Sequence, residues 1–243
     1  MTSTHDAAQT DRPVALVTAA SRGMGRGIAR ELARRGWRLA LFSRSEDVVG
    51  LGEELGAHVC RGSTSDPDDL ARFCQSSWVA LGRIDAVVNN TGHPPRGGLL
   101  DVPDTAWHEA LDLILLNVVR MSRLATPYLL RNPGGGAIVN MSSIAAVQPD
   151  LTHPVSSVLR AGLGGFAKLY AQQYARQGLR MNNLVAGRIE SYPQPEERVR
   201  EIPAQRLGTV EEVASYVAFL LSPEAAYVNG QNIVIDGGLV RGL

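Results

Sequence analysis

Cysteine is scarce: the 243 residues hold two, Cys60 and Cys74. They form no C-x-x-C pair and join no His cluster at zinc-ligand spacing, which excludes a disulfide framework and a zinc module. They read as free thiols in a reducing compartment, and no metal is expected. Long apolar runs are also missing. None approaches the roughly 18 residues that cross a bilayer, and the polar stretch Met1 to Arg12 lacks the apolar core of a signal peptide. Neither sign of charge is in excess, with 24 Lys and Arg against 24 Asp and Glu. The basic residues are spread out, so nothing points to nucleic acid or an anionic membrane as partner. There is no internal repeat and no linker. These absences describe a cytoplasmic protein with a flexible N-terminus, residues 1–12, and a single domain, residues 13–243, whose partner is a small molecule.

What is present is a chain 44% apolar, enough for a large core, in which short apolar runs alternate with amphipathic stretches. Val14 to Val17, Trp37 to Phe42, His58 to Arg61, Ile84 to Val88, Ala137 to Met141, Arg180 to Val185 and Asn232 to Ile235 read as strands. Continuous apolar strands of this length belong to a parallel sheet buried on both faces. Between them, helical spacing appears after the first strand, with Ile28 and Leu32 inward and Arg26, Arg30, Arg34 and Arg35 outward, ending at Gly36. It recurs over Pro67 to Leu81, Thr105 to Leu130, Ser157 to Gln177 and Val210 to Leu221. The expected fold is α/β: a Rossmann-type, doubly wound, mostly parallel sheet of six to seven strands with helices on both faces.

The turn Thr18-Ala19-Ala20-Ser21-Arg22-Gly23-Met24-Gly25 lies between the first strand and the first helix. Glycine there lets the backbone approach a pyrophosphate seated on the helix N-terminus, where free N–H groups and the dipole favour an anion. An acidic residue closing the second strand would favour NAD(H) by accepting from a ribose hydroxyl. That place holds Ser43, followed by Arg44. Arg22 and Arg44 together suit a 2′-phosphate, since Arg–phosphate pairing is strong. NADP(H) is the expected cofactor.

These motifs resemble the short-chain dehydrogenase/reductase family, whose turn reads T-G-x-x-x-G-x-G. Gly23 and Gly25 match its second and third glycines, and Ala19 stands at the first. The resemblance runs from Val14 through Asp236-Gly237-Gly238. It implies adenine contacts at Ser63 and Thr64, where the family has D-V. It implies a cofactor border at Asn90 and Gly92 within Asn89-Asn90-Thr91-Gly92. It also implies nicotinamide contacts at Gly187, Ile189 and Ser191, and a dimer or tetramer packed through helices 105–130 and 157–177. The apolar end Leu239 to Leu243 is a second candidate contact. The loop from Glu190 to Pro203 is the expected lid, too short and charged for a long acyl chain.

The family's catalytic set is Asn, Ser, Tyr and Lys. Asn117 and Ser143 match the first two. The register fixed by Arg160-Ala161-Gly162-Leu163-Gly164-Gly165-Phe166 places Ser156 at the Tyr and Arg160 at the Lys. A serine hydroxyl is a far weaker acid than a phenol, and arginine does not give up its proton. Three readings follow. In the first, a reductase takes its proton from another residue, with His153 the first candidate and His93 and Tyr192 behind it, acting on a small carbonyl or an activated C=C or C=N bond. The second is a non-redox enzyme, such as a dehydratase, isomerase or lyase, in which Ser and Arg bind a carboxylate or an enolate. The third is a binding or scaffold protein without catalysis. Tyr170 and Tyr174, at helical spacing, are read as core.

Overall fold

The computed structural model describes residues 11–242. Most of the expected flexible N-terminus therefore lies outside the described residues. Arg12 is fastened, its Nε donating to the Gly36 carbonyl at 2.6 Å. Seven strands, β1 (Val14–Thr18), β2 (Arg38–Ser43), β3 (His58–Arg61), β4 (Ala86–Asn89), β5 (Gly136–Ser143), β6 (Leu179–Ala186) and β7 (Asn232–Ile235), form one sheet in the order β3-β2-β1-β4-β5-β6-β7. Every pairing is parallel. The winding reverses between β1 and β4, and in such sheets the crevice at the carboxyl ends of those two strands is the ligand site.

Helices cover both faces. On one side α1 (Gly23–Arg34), α2 (Asp47–Leu55) and α8 (Val210–Leu221) bury Ile28, Leu32, Val48, Leu51, Val213 and Val217 against Val17, Leu41, Val88 and Leu184. On the other, α3 (Pro67–Leu81), α5 (Asn117–Leu129) and α6 (Pro154–Tyr174) bury Leu70, Phe73, Met121, Ala125, Ala167 and Tyr170 against Leu16, Val87, Ile138 and Met181. Local signals set the ends. Asp66 accepts from the Asp68 and Asp69 N–H groups ahead of Pro67, and Gly82 closes α3 at φ +73°. Thr209 and Glu212 close a reciprocal capping box on α8.

One polar feature crosses the second layer. Asn89, Asn140, Asn183 and Asn232 stand in register on four neighbouring strands. Their amides chain together: Asn89 Nδ2 donates to Asn140 Oδ1 (2.8 Å), Asn140 Nδ2 to Asn183 Oδ1 (2.8 Å) and Asn183 Nδ2 to Asn232 Oδ1 (2.7 Å). Matched side chains on adjacent parallel strands lie close enough for such a ladder to form.

The structure differs from the sequence reading in four elements. The single helix expected over Thr105 to Leu130 is α4 (Asp104–Ala110), a π-helical segment Leu111–Leu116, and then α5. Its apolar spacing is continuous, so the change in winding leaves no trace in periodicity. The helix expected to begin at Ser157 begins at Pro154, a residue suited to the first helical position, which puts Ser156 inside α6. The nine-residue α2 and the five-residue α7 (Glu196–Arg200) had no expectation; both are short and lie next to polar segments. Finally, the segment from Glu190 to Pro203, read as a loop, contains α7.

Candidate active site

The turn after β1 is tied to β4. Thr18 Oγ1 donates to the Asn90 carbonyl (2.7 Å) and accepts from the Asn90 N–H (2.9 Å), while Asn90 Nδ2 donates to the Ala19 carbonyl (3.2 Å). Ser43, closing β2, donates to Ser21 Oγ at 2.9 Å. Gly25 is packed so closely that a Cβ would lie 2.2 Å from the Ala19 carbonyl oxygen. Gly23 adopts φ +53° with Ser191 beside it. Ala19 adopts φ +46°, a region that favours glycine.

Helix α1 begins at this turn with no side-chain cap on Arg22 and no acidic residue in its first turn. Its first N–H groups are thus left for an anion. The residues present fit a dinucleotide pyrophosphate. Arg22 and Arg44 are exposed beside it, and neither makes an ion pair among the described residues. Ser63 and Thr64 are half-buried past the end of β3, where the Ser63 N–H donates to Asp69 Oδ2 (2.8 Å).

Next to the turn a pocket of about 110 Å³ opens at the carboxyl ends of β4, β5 and β6. It brings together Met24, Asn90 and Gly92 from one side, and Gly187, Ile189 and Ser191 from another. Ser143, His153, Ser156 and Arg160 line the remainder, with His93 and Tyr192 at 5.2 Å between ring centres. Sequence reasoning missed Arg96, which also lines the pocket. The Pro94-Pro95 step before it pins the chain, yet nothing in spacing or composition says where it leads.

Arg160 is buried. Its Nη1 donates to the Met141 carbonyl at 2.8 Å, and its Nε has no partner. Burial pushes this guanidinium down to about 10, so it stays charged at neutral pH. His153 precedes α6 and points Nδ1 at Thr152 Oγ1 (2.7 Å) and Asp150 Oδ2 (3.0 Å). With Nδ1 engaged by a carboxylate, Nε2 is the nitrogen left for proton exchange. His93 is held below its ordinary 6.5, first by partial burial and then by Arg160, Arg96, His153 and Arg22. The chain's one lysine, Lys168, is exposed two turns beyond Arg160 and does not line the pocket.

Asn117 does not line the pocket. It is buried at the start of α5, donating Nδ2 to the Leu113 carbonyl while its Oδ1 is unpartnered. The π-helical turn accounts for that bond, because the Asn117 N–H reaches back to Asp112 and leaves the Leu113 carbonyl to the side chain. Tyr170 sits in the core, bonded to Thr126 Oγ1 at 2.7 Å. A larger groove of about 620 Å³ runs beside α8. Of the expected site residues it holds Ile189 alone, its charged border is paired as Arg206–Glu212 at 2.7 Å, and it contains no orphaned buried polar atom. The smaller pocket is therefore the candidate site. Among the described residues no group of three His, Cys, Asp or Glu is placed to hold a metal ion, and no helix is long and apolar enough to cross a membrane.

A fully parallel doubly wound sheet with an anion-ready turn beside a polar pocket defines a dinucleotide-binding architecture. Residues 18–240 match the family model described as enoyl-(acyl carrier protein) reductase. The chain belongs to the short-chain dehydrogenase/reductase family of oxidoreductases. It is 37% identical over 237 residues to nodulation protein G of Rhizobium sp. (strain N33), and 31% identical over 237 residues to the 3-oxoacyl-(acyl-carrier-protein) reductase FabG of Escherichia coli (strain K12). Both comparisons cover 93% of this chain and 96% of the relative. Among solved structures, YwfH, an NADPH dependent reductase involved in bacilysin biosynthesis, superposes with a TM-score of 0.90 at 25% identity, covering 96% of this chain and all of that one.

Proposed function

We propose that this protein is an NADP(H)-dependent reductase of a small carbonyl, or of an activated C=C or C=N bond, in which Ser156 and Arg160 stand where the family carries Tyr and Lys. The observation that carries the reading is the pocket itself. Ser143, Ser156, Arg160 and His153 face Met24, Asn90, Gly187 and Ile189 across one small volume beside a turn suited to pyrophosphate. The similarity to an NADPH dependent reductase supports the cofactor, as do the exposed Arg22 and Arg44.

Thr18, Ala19, Ser21, Gly23, Met24 and Gly25 would hold the pyrophosphate, with Arg22 and Arg44 on the 2′-phosphate. Ser63 and Thr64 would border the adenine. Asn90, Gly92, Gly187, Ile189 and Ser191 would border the nicotinamide, and Arg160 its ribose. When bound, NADPH supplies a hydride. Ser143 and Ser156 donate hydrogen bonds to the substrate atom that gains charge. His153 delivers the proton from Nε2, and Asp150 holds its ring through Nδ1. Asn117 keeps the helix turn behind the pocket in place through Leu113. The exposed Val158 and Leu169 on α6 support packing against a second copy of the chain. The unpaired Cys60 and Cys74 agree with a reducing, cytoplasmic setting.

A second reading, a non-redox enzyme on this fold, is favoured by one observation: the buried, unpaired Arg160 Nε suits an enolate. Titration with NADPH and NADH, followed by nicotinamide fluorescence, tests the redox reading. Tighter NADPH binding is expected, reduced about tenfold or more in Arg22→Ala or Arg44→Ala. Absence of binding by either nucleotide overturns the redox reading. Tighter NADH binding overturns the roles of the two arginines. His153→Gln should lower kcat by about 10²–10⁴-fold with NADPH affinity unchanged; unchanged kcat removes His153 as the donor.

A further inference from the structure

A buried charge is ordinarily paired with an opposite one, because its desolvation is otherwise uncompensated. Arg160 breaks that rule. Its Nη1 meets a neutral main-chain carbonyl and its Nε, also buried, meets nothing. No Asp or Glu lines the pocket. Asp150, three residues before the pocket's His153, is engaged by His153 and Thr152, and Arg160 makes no ion pair among the described residues. Arg96, at the exposed rim, makes no ion pair among the described residues. Two cations thus converge on about 110 Å³ with serine hydroxyls and no counter-charge. The ribose hydroxyl assigned to Arg160 above would satisfy the Nε donor but, being neutral, would leave the charge uncompensated, so the ribose contact and an anion beside it are both accommodated. A pyrophosphate would be held at the α1 N-terminus by the turn's own N–H groups, away from the Arg160 end of the pocket.

We infer that this pocket takes a substrate bearing a carboxylate, which Arg160 holds at the base and Arg96 at the rim. The inference rests on the pocket being the substrate site, as proposed above, and it narrows the substrate to small oxo acids or unsaturated acids. His93 lines the same pocket, and it is held below its ordinary value first by partial burial and then by Arg160 and Arg96. The groups facing His93 are Arg160, Arg96, His153 and Arg22, with the Tyr192 ring at its edge.

The test follows the His93 imidazole by NMR through a pH titration of the full chain. It uses no dinucleotide, and adds sodium acetate or neutral acetamide at constant ionic strength set with chloride. Assignment comes from His93→Gln. Acetate should raise the His93 midpoint toward its ordinary value, whereas acetamide and chloride should leave it unmoved. Arg160→Met should weaken acetate binding about tenfold or more, and Arg96→Gln, on an exposed side chain whose loss does not threaten folding, about two- to fivefold. A midpoint that acetate does not move, or moves no more than acetamide or chloride does, overturns the inference. So does full acetate affinity in folded Arg160→Met, or in Arg96→Gln should Arg160→Met not fold. Failure here leaves the dinucleotide titration free to succeed, and failure of that titration leaves this one free to succeed.

Discussion

Replacing Asn140 with leucine isolates the asparagine ladder. Asn140 is fully buried, and leucine keeps its branched shape with larger methyl groups in place of the amide oxygen and nitrogen, so the change removes the pairing and any crowding adds to the loss. It removes the only side-chain partner of Asn89 Nδ2, whose Oδ1 already has none. It also strips the donor from Asn183 Oδ1, though Asn183 keeps its bond to Asn232. Two groups are orphaned, at about 2 kcal/mol each, within the usual range of roughly 1–3 for a buried unsatisfied group. The leucine side chain returns about 1–2 kcal/mol of apolar burial. The net loss is about 2–3 kcal/mol. At about 2–4 °C per kcal/mol for a chain of this size, Tm should fall by roughly 4–12 °C.

Urea unfolding followed by far-UV circular dichroism, with calorimetry alongside, measures it. The double variant Asn89→Leu with Asn140→Leu should lose less than the sum of the two single variants, because it removes one orphan with its partner. Asn140→Asp adds a signed test. At neutral pH the carboxylate accepts from Asn89 but confronts the Asn183 oxygen, another acceptor, so its folded pKa rises above the ordinary 3.9 or so. The deficit is full above the raised folded pKa and shrinks as pH falls through it, since the protonated acid donates to Asn183. A loss under about 1 kcal/mol for Asn140→Leu, or strict additivity in the double variant, would refute the ladder as a cooperative unit.

Ala19→Gly relieves an L-residue held at φ +46°. About 1–2 kcal/mol of strain is removed, against about 0.5–1 for the freer unfolded chain and a few tenths for a half-buried methyl. A rise in Tm of about 1–2 °C is expected, while Gly25→Ala, whose Cβ would strike the Ala19 carbonyl, should lower it; the opposite pair of signs refutes the strain. On acidification, His58 and His93 both matter, each held below its ordinary 6.5, His58 by burial alone. The unfolded chain binds more protons in the window between the lowered folded values and 6.5, so unfolding free energy falls as pH drops through that window. Urea melts from pH 7 to 5 should show that slope, and His58→Gln with His93→Gln should flatten it; an unchanged slope assigns it to other groups.

The parallel, doubly wound class of the sheet was legible because each strand is a short apolar run and each crossover a helix with one apolar face. Parallel pairing buried on both faces demands that pattern and leaves few other architectures. The phosphate turn was legible for a related reason: Gly23 and Gly25 answer local backbone demands, so their chemistry is written in sequence neighbours. Register against the motifs of the family it resembles likewise set Ser143, Ser156 and Arg160 near one another, and the structure brings them to one pocket with His153. The sequence did not show that Arg160 would be buried with an unpartnered Nε, nor that Arg96, from another loop, would share its pocket. Those facts depend on which elements meet at the sheet's carboxyl edge. The π-helical turn before Asn117 was hidden as well, because winding by five residues instead of four barely disturbs an apolar stripe. The asparagine ladder is the sharpest case. Four asparagines on four strands are unremarkable one by one, and only strand order and register make them a chain. Local propensity and periodicity determined the elements and the turn; contacts between residues 43 to 51 positions apart were decided by tertiary structure, since pairing at that separation depends on how the whole sheet is assembled.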